Sequence, residues 1–502
     1  MKHFFSLTIL ICGYFLAHSQ VDQMEVTWGE NMKARKMLVT DIMSTGNEQE
    51  IYAINSSLKM FNQKTFLEKY NRLKLTNQVE LNTRYEPGTF LSQQIVSLDT
   101  LLYSLNGRRT KTEISLKAQA IDPVDFSISE EEKSIYRIKL IKGRRNSYGE
   151  YKSARSRNEQ KVAYVLGHPG SLEEKEIMTV KVFDNQFELL WKTNITIPYE
   201  RGLTRIESVN ITNDGLVYIL TTVFKDRKER VRQERNYENF VIVVDSNGIA
   251  ANHKLELENK FIRDLKLNVA IDGDLMCGGF YSNEGYRSDG VFFMTLDAKD
   301  FSIKTQSLKA FDFNFIVEGL SERAKARTKR KAERGREIGL AHVTFRDFVV
   351  KENGGAVLVG EYVNIYTTTT TDANGNTTST THYHYDDIYV ISISPNGSIQ
   401  WAKKIPKYQH TANDGGFYSS FFMVVNEDVI HFLYNVADRK ETHLQVTTVD
   451  SDGKLLHENL ISNSRRENLR IRPKSCEQTS KNTFVIFATS KRYYQFAQVK
   501  LN

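Results

Sequence analysis

The stretch from Asp387 to Pro406 reads DIYVISIS, then PNG, then SIQWAKKIP. Two apolar runs rich in Ile, Val and aromatic residues, the types that favour strands, flank a Pro-Asn-Gly turn. The pattern returns at Val180 to Trp191 (VKVFDNQFELLW), Phe240 to Ile249 (FVIVVDSNGI), Val291 to Ile303 (VFFMTLDAKDFSI) and Leu444 to Leu455 (LQVTTVDSDGKL). With Asp184, Asp245, Asp297, Ser394 and Asp450 as markers, the spacings are 61, 52, 97 and 56 residues. Self-similarity near 50 residues marks repeated supersecondary units. The long interval holds two insertions.

Each pair is preceded by another apolar run, such as Leu216 to Thr222, Leu275 to Tyr281, Ala356 to Tyr362, Val429 to Tyr434 and Thr483 to Ala488. A weaker polar segment lies upstream of each. The unit is therefore a four-stranded antiparallel meander. Runs such as Phe240 to Val244 show no polar alternation, so both faces of the sheet must be covered. No helix-length amphipathic segments separate the strands, which disfavours a parallel α/β fold. Sheet must pack on sheet, and radial stacking of four-stranded sheets is a β-propeller. The expected fold is all-β: a single β-propeller of four-stranded antiparallel blades.

Eight units are expected, at residues 50–75, 98–128, 162–197, 203–255, 261–308, 341–405, 417–460 and 471–501. Seven result if the two weak early units merge. The last unit lacks an outermost strand. Val26-Thr27-Trp28-Gly29 resembles the outer strands that carry Trp191 and Trp401, so it is expected to close the ring by pairing with the C-terminal blade and to cover a sheet edge.

The 502 residues are 40% hydrophobic and 11% aromatic with only 7 Pro, which suits a packed core and excludes disorder. Lys2 and His3, the apolar run Phe4 to Leu16 and the small residues of Ala17-His18-Ser19 form a signal peptide over residues 1–19, with Gln20 first after cleavage. An exported, periplasmic or extracellular protein is expected. Ile11 before Cys12 is too large for a lipoprotein signal. No later stretch has the ~18 apolar residues of a membrane helix. Cys277 and Cys476 carry no framework spacing and read as two separate thiols.

In a propeller, second-to-third-strand loops and blade-to-blade connections share one end. The short third-to-fourth turns share the other. Four long segments fall on the first end. Residues 142–157 carry Arg144 and Arg145, and residues 225–235 carry Arg227, Lys228 and Arg230. The insertion at 321–339 carries Arg323, Lys325, Arg327, Lys329, Arg330, Lys331, Arg334 and Arg336. The fourth is the Thr-rich arm at 367–385. Residues 321–337 read as a helix starting at Ser321, with no apolar stripe and hence little burial. The plainer reading is a solvated helix; the functional one is a dock for a polyanion such as lipopolysaccharide or acidic glycan, weakening with salt. Nucleic acid is disfavoured, since no aromatic residues interleave with the basic ones. The arm reads as a hairpin turning at Asn374-Gly375, either a tolerated loop or a strand offered to a partner.

His382 and His384 lie two apart on a strand and so share a face. Asp386, Asp387 and His410 are conceivable additions, but nothing else in the spacing supports a metal site, and exposed polar residues are the expectation. Asp450-x-Asp452-Gly453 lacks the terminal Glu of a calcium loop and reads as a turn. No G-x-S-x-G, phosphate loop or H-E-x-x-H is present, and no cofactor is expected.

Gly397-Ser398-Ile399-Gln400-Trp401 resembles the G-x-x-x-W tail of quinoprotein-type propeller repeats, and Trp191 stands in a similar strand. The vicinal cysteines of the quinone dehydrogenases are not evident, so cofactor binding is not implied. As a whole the chain resembles the exported, uncharacterised propeller proteins of Bacteroidota, which implies a fold and an envelope location. The functional expectation is a non-enzymatic binding or scaffold protein engaging a protein or polyanionic partner through the basic, loop-rich end. The alternative is a glycan-active lyase or hydrolase with carboxylates near the central channel.

Overall fold

The computed structural model describes residues 24–501 apart from 34–36, 45–46, 60–61, 82–89, 141–150, 227–235, 284–286, 427–428, 439–440, 462–468 and 491–492. The expected signal peptide lies outside the described residues. Within them the strands form eight antiparallel sheets. Seven follow one another as meanders at residues 37–81, 90–139, 151–200, 204–255, 261–310, 343–405 and 422–461. The eighth joins Arg470–Ile471, Glu477–Gln478, Thr483–Thr489 and Tyr493–Lys500 to Glu25–Trp28, with Val26 opposite Val499 and Trp28 opposite Ala497. The chain is an eight-bladed propeller whose two ends share a blade.

Eight apolar clusters hold it together, one at each junction between neighbouring blades. Alternation works sideways here. In the wholly buried strand Leu275–Ser282, Leu275 and Cys277 pack toward blade four while Met276 and Phe280 pack toward blade six. That explains apolar runs with no polar face. The last junction sets Ile42, Ile51 and Tyr70 of blade one against Val485, Phe487 and Phe496 of blade eight. Cys277 and Cys476 are both buried free thiols.

First strands stand nearest the axis: those of blades three to six neighbour one another, and fourth strands alternate between exposed and half-buried. The weaker segment expected upstream is this first strand, at Thr204–Ile211, Phe261–Val269 and Val343–Val350 in blades four to six. Blades one to three begin earlier than expected, with Met37–Met43, Phe90–Leu98 and Tyr151–Arg155 as their first strands. Blade two also gains a fourth strand, Lys133–Lys139. Lys152 and Arg155 thus belong to a strand, not a loop, and Arg157 lies in the turn that follows, at the short-turn end. Tyr151–Arg155 carries too few apolar residues to register as a strand.

The marker residues open a recurrent turn. In the third-to-fourth turn of blade seven, Gly453 N–H donates to Asp450 O, Asp450 N–H donates to Lys454 O, and the Asp450 carboxylate caps two further N–H groups. Gly453 takes φ +77°, open to glycine without strain. Blade six repeats the frame from Ser394, and blade three from Asp184. The Asp450 motif is a turn, as expected. No helix among the described residues is long and apolar enough to cross a membrane.

Candidate functional site

Blade six carries the insertions, and both rise at the loop-rich end. Between blades five and six run two helices, α1 (Phe313–Val317) and α2 (Glu322–Glu333). Ser321 caps α2, its hydroxyl accepting from Ala324 N–H. The helix stops four residues before the expected end. Gly335 enters the left-handed region at φ +65°, and Arg336 N–H turns back to Lys331 O, a Schellman-type stop. Nothing in α2 is fully buried, as expected from its composition. Ala324, Thr328, Lys331 and Ala332 are half-buried and turn one face toward the ring. Arg323, Arg327, Lys329, Arg330 and Arg334 are exposed. Among the described residues, Lys325 with Glu322 is the helix's one ion pair.

The insertion is anchored. Arg287 N–H donates to Glu337, the Arg287 guanidinium donates to Gly339 O, and Ser288 and Leu340 pair through both backbone bonds. Lys404, buried in blade six, donates to Ile316 O and Glu318 O at the end of α1 and lies over the rings of Phe315 and Tyr389. Between α2 and blade six this leaves a cleft of about 520 Å³, lined among others by Lys331, Leu320, Tyr362, Tyr408, Asp386 and Asp387. Tyr408 is 72% exposed at its lip. Burial raises Asp387 above the usual carboxylate range, with Lys404 pulling the other way.

Behind the cleft lies a charged network that spacing did not reveal. The Lys407 ammonium is 1% exposed and donates to Glu361 at 2.9 Å, Tyr385 O at 2.6 Å and Gln409 at 3.0 Å. The other Glu361 oxygen accepts from Ser420 Oγ at 2.8 Å and meets the Arg346 guanidinium at 3.2 Å. Burial lowers the Lys407 pKa, and Glu361 opposes the shift. All three Lys407 N–H bonds are taken, and the network ties the 406–421 connection to the ring.

The arm is two strands, Ala356–Thr371 and Thr377–Ile393, joined by 372–376. Its tip repeats the five-residue turn of the blades: Asp372 caps Asn374 and Asn376 N–H, and Gly375 takes φ +81°. The two-residue Asn374-Gly375 turn is therefore replaced by a type I turn with a left-handed Gly, because Asp372 supplies the cap. Nine residues beyond Tyr362 extend about 30 Å at ~3.3 Å each.

His382 and His384 share a face, and His410 from the strand His410–Ala412 joins them. His384 and His410 stack at 4.2 Å, His382 Nδ1 lies 3.1 Å from His410 Nε2, and Tyr366 stacks on both His382 and His384. Asp386 and Asp387 turn away, accepting from Gln409 N–H and Lys407 N–H. Among the described residues no group of three or more His, Cys, Asp or Glu is arranged to hold a metal. Of the other sequence-selected residues, Arg144, Arg145, Arg227, Lys228 and Arg230 lie outside the described residues. His410, which the sequence offered as a companion to His382 and His384, does join them, whereas Tyr408 and Phe417, exposed on the same 406–421 connection, were not singled out from sequence.

Channel carboxylates also exist. At the short-turn end, Asp99, Glu159 and Glu477 line an 870 Å³ mouth with Arg155. Near the axis Asp264 accepts from Phe345 N–H of the next blade, and burial raises its pKa to about 6.

No protein-family model and no curated protein sequence matches the chain. Among solved structures, it is similar to the WD40 domain of SCAP from fission yeast, at 9% identity and TM-score 0.41, over 95% of this chain and 94% of that one. A protein of unknown function from Bacteroides caccae gives 12% identity and TM-score 0.31, over 72% and 94%. Prolyl oligopeptidase B from Galerina marginata gives 6% identity and TM-score 0.40, over 91% of this chain and 55% of that one. What the chain resembles in all three is a shape.

Proposed function

We propose that this is an exported, non-enzymatic binding or scaffold propeller of the cell envelope. It engages a protein or polyanionic partner through the end that carries α2 and the arm. One observation carries the reading: a run of exposed cations, all but Lys325 without an ion-pair partner in the fold among the described residues, stands beside an arm whose outer part, residues 365–381, belongs to none of the ring's apolar clusters. Unpaired surface cations attract polyanions and speed encounter with acidic surfaces. The test is crosslinking in the native envelope with three chains: wild type, one lacking residues 368–384, and one with the cations between 323 and 336 replaced by Gln. Both variants should melt like the wild type and recover less partner, with salt weakening what remains. Unchanged recovery in both would remove the reading. A second reading, a glycan-active enzyme, is supported by Asp99, Glu159 and Glu477 at the channel mouth. It requires that Glu159→Gln or Glu477→Gln abolish turnover of an acidic polysaccharide.

A further inference from the structure

The arm has two edges, and the fold treats them differently. Along the strand Thr377–Ile393, Tyr385 N–H donates to Gln409 O, Tyr383 pairs with Thr411, and Thr381 exchanges bonds with Asn413. That edge is covered up to Thr381. On the other strand, Val363 N–H donates to His342 O, and pairing with the first strand of the blade ends there. Backbone groups of alternate residues point the same way, so the N–H and C=O of Ile365, Thr367, Thr369 and Thr371 face outward. Among the described residues they have no partner. The register agrees: Thr367 with Thr381, Thr369 with Ser379 and Thr371 with Thr377 bring hydroxyls within 3.1–3.5 Å, the close contact of pairs that exchange no backbone bonds with each other.

Natural edges are blunted by Lys, Pro, bulges or brevity. This one runs Ile365 to Thr371 with high strand propensity, no charge and no proline. At its foot stands α2. Lys331 and Thr328 line the same cleft as Tyr362, the last residue of that strand paired to the first strand of the blade. The helix carries six cations against two carboxylates.

We propose that this open edge takes an extended acidic segment of a partner protein as an added strand, its carboxylates against the cations of α2. This rests on the binding role argued above and names the partner's chemistry. Main-chain bonds would supply the pairing and the helix the selection.

The probes are fluorescent nonapeptides of alternating Glu-Val and alternating Lys-Val, read by anisotropy, with amide exchange on the whole chain. The Glu-Val peptide should bind and the Lys-Val peptide should not. Amides of Ile365, Thr367, Thr369 and Thr371 should become protected. Thr369→Pro removes one outward N–H and leaves the hairpin's own bonds in place. It should weaken binding about tenfold or more, as should Gln replacement of the α2 cations. Binding that ignores Thr369→Pro and protects no arm amide overturns the added strand while leaving a basic binding end intact. Failure of the Glu-Val peptide to bind overturns it too, and self-association abolished by Thr369→Pro would assign the edge to a second copy, against the proposal. If neither the arm nor the helix substitutions alter any binding, both proposals fall.

Discussion

At the scale of single residues, the informative groups are charges the fold has taken out of water. Lys407 and Glu361 are almost fully enclosed, and removing one partner strands the other. Lys407→Met should cost about 3 kcal/mol in urea unfolding, at the low end for a broken buried pair because Arg346 still reaches Glu361. Replacing both, as Lys407→Met with Glu361→Leu, should recover most of that loss. Asp264 gives a pH signature. Burial lifts its pKa from 3.8 to about 6, so between those values the folded chain holds a proton that the unfolded chain has released. Its contribution favours folding most below about pH 4 and declines as pH rises through 6. Denaturant midpoints of wild type should fall across that interval relative to Asp264→Asn, and parallel curves would contradict the assignment. Neither group was legible in the sequence. Glu361 and Lys407 are 46 residues apart, and only the folding of blade six brings them together.

At the scale of elements, blades six and seven are joined by a specific contact. The Trp401 indole N–H donates to Ser451 O in the turn of the next blade at 2.9 Å, and Gly453 sits so close to that ring that a Cβ would lie 2.8 Å from it. Trp401→Phe should lower stability by about 1 kcal/mol, the worth of one hydrogen bond, when measured by chemical denaturation. The Gly-x-x-x-Trp spacing was visible from sequence, as were the second and third strands, because buried apolar runs and Asp- or Ser-led turns declare themselves locally. The first strands of blades one to three did not, although those of blades four to six fell within the expected units. Tyr151–Arg155 reads as a basic loop, since only Tyr151 and Ala154 of its five residues pack on the neighbouring clusters and nothing in so short a polar run distinguishes strand from loop. The helix and the arm were legible for the opposite reason: each is specified by its own composition, with Ser321 and Asn374-Gly375 as local signals, while the stop at Gly335 and the cap at Asp372 went unread.

At the scale of the molecule, what makes the ring a ring is the strand Glu25–Trp28. It covers the outer edge of Tyr493–Lys500, and Val26 packs on the cluster between blades seven and eight. A chain lacking residues 24–29 should melt markedly lower and associate through the bared edge, seen as larger species in light scattering. An unchanged monomer would show the strand to be dispensable. The partners in that closing pair, Glu25 and Lys500, are nearly the whole polypeptide apart. Loop entropy makes so distant a contact slow to find, so sealing should come late in assembly. Until the final blade is ready, the earliest stretch has nowhere to dock, and the molecule spends its youth as an unlatched horseshoe. Chaperones acting on it should recognise those two loose ends and ignore the blades between.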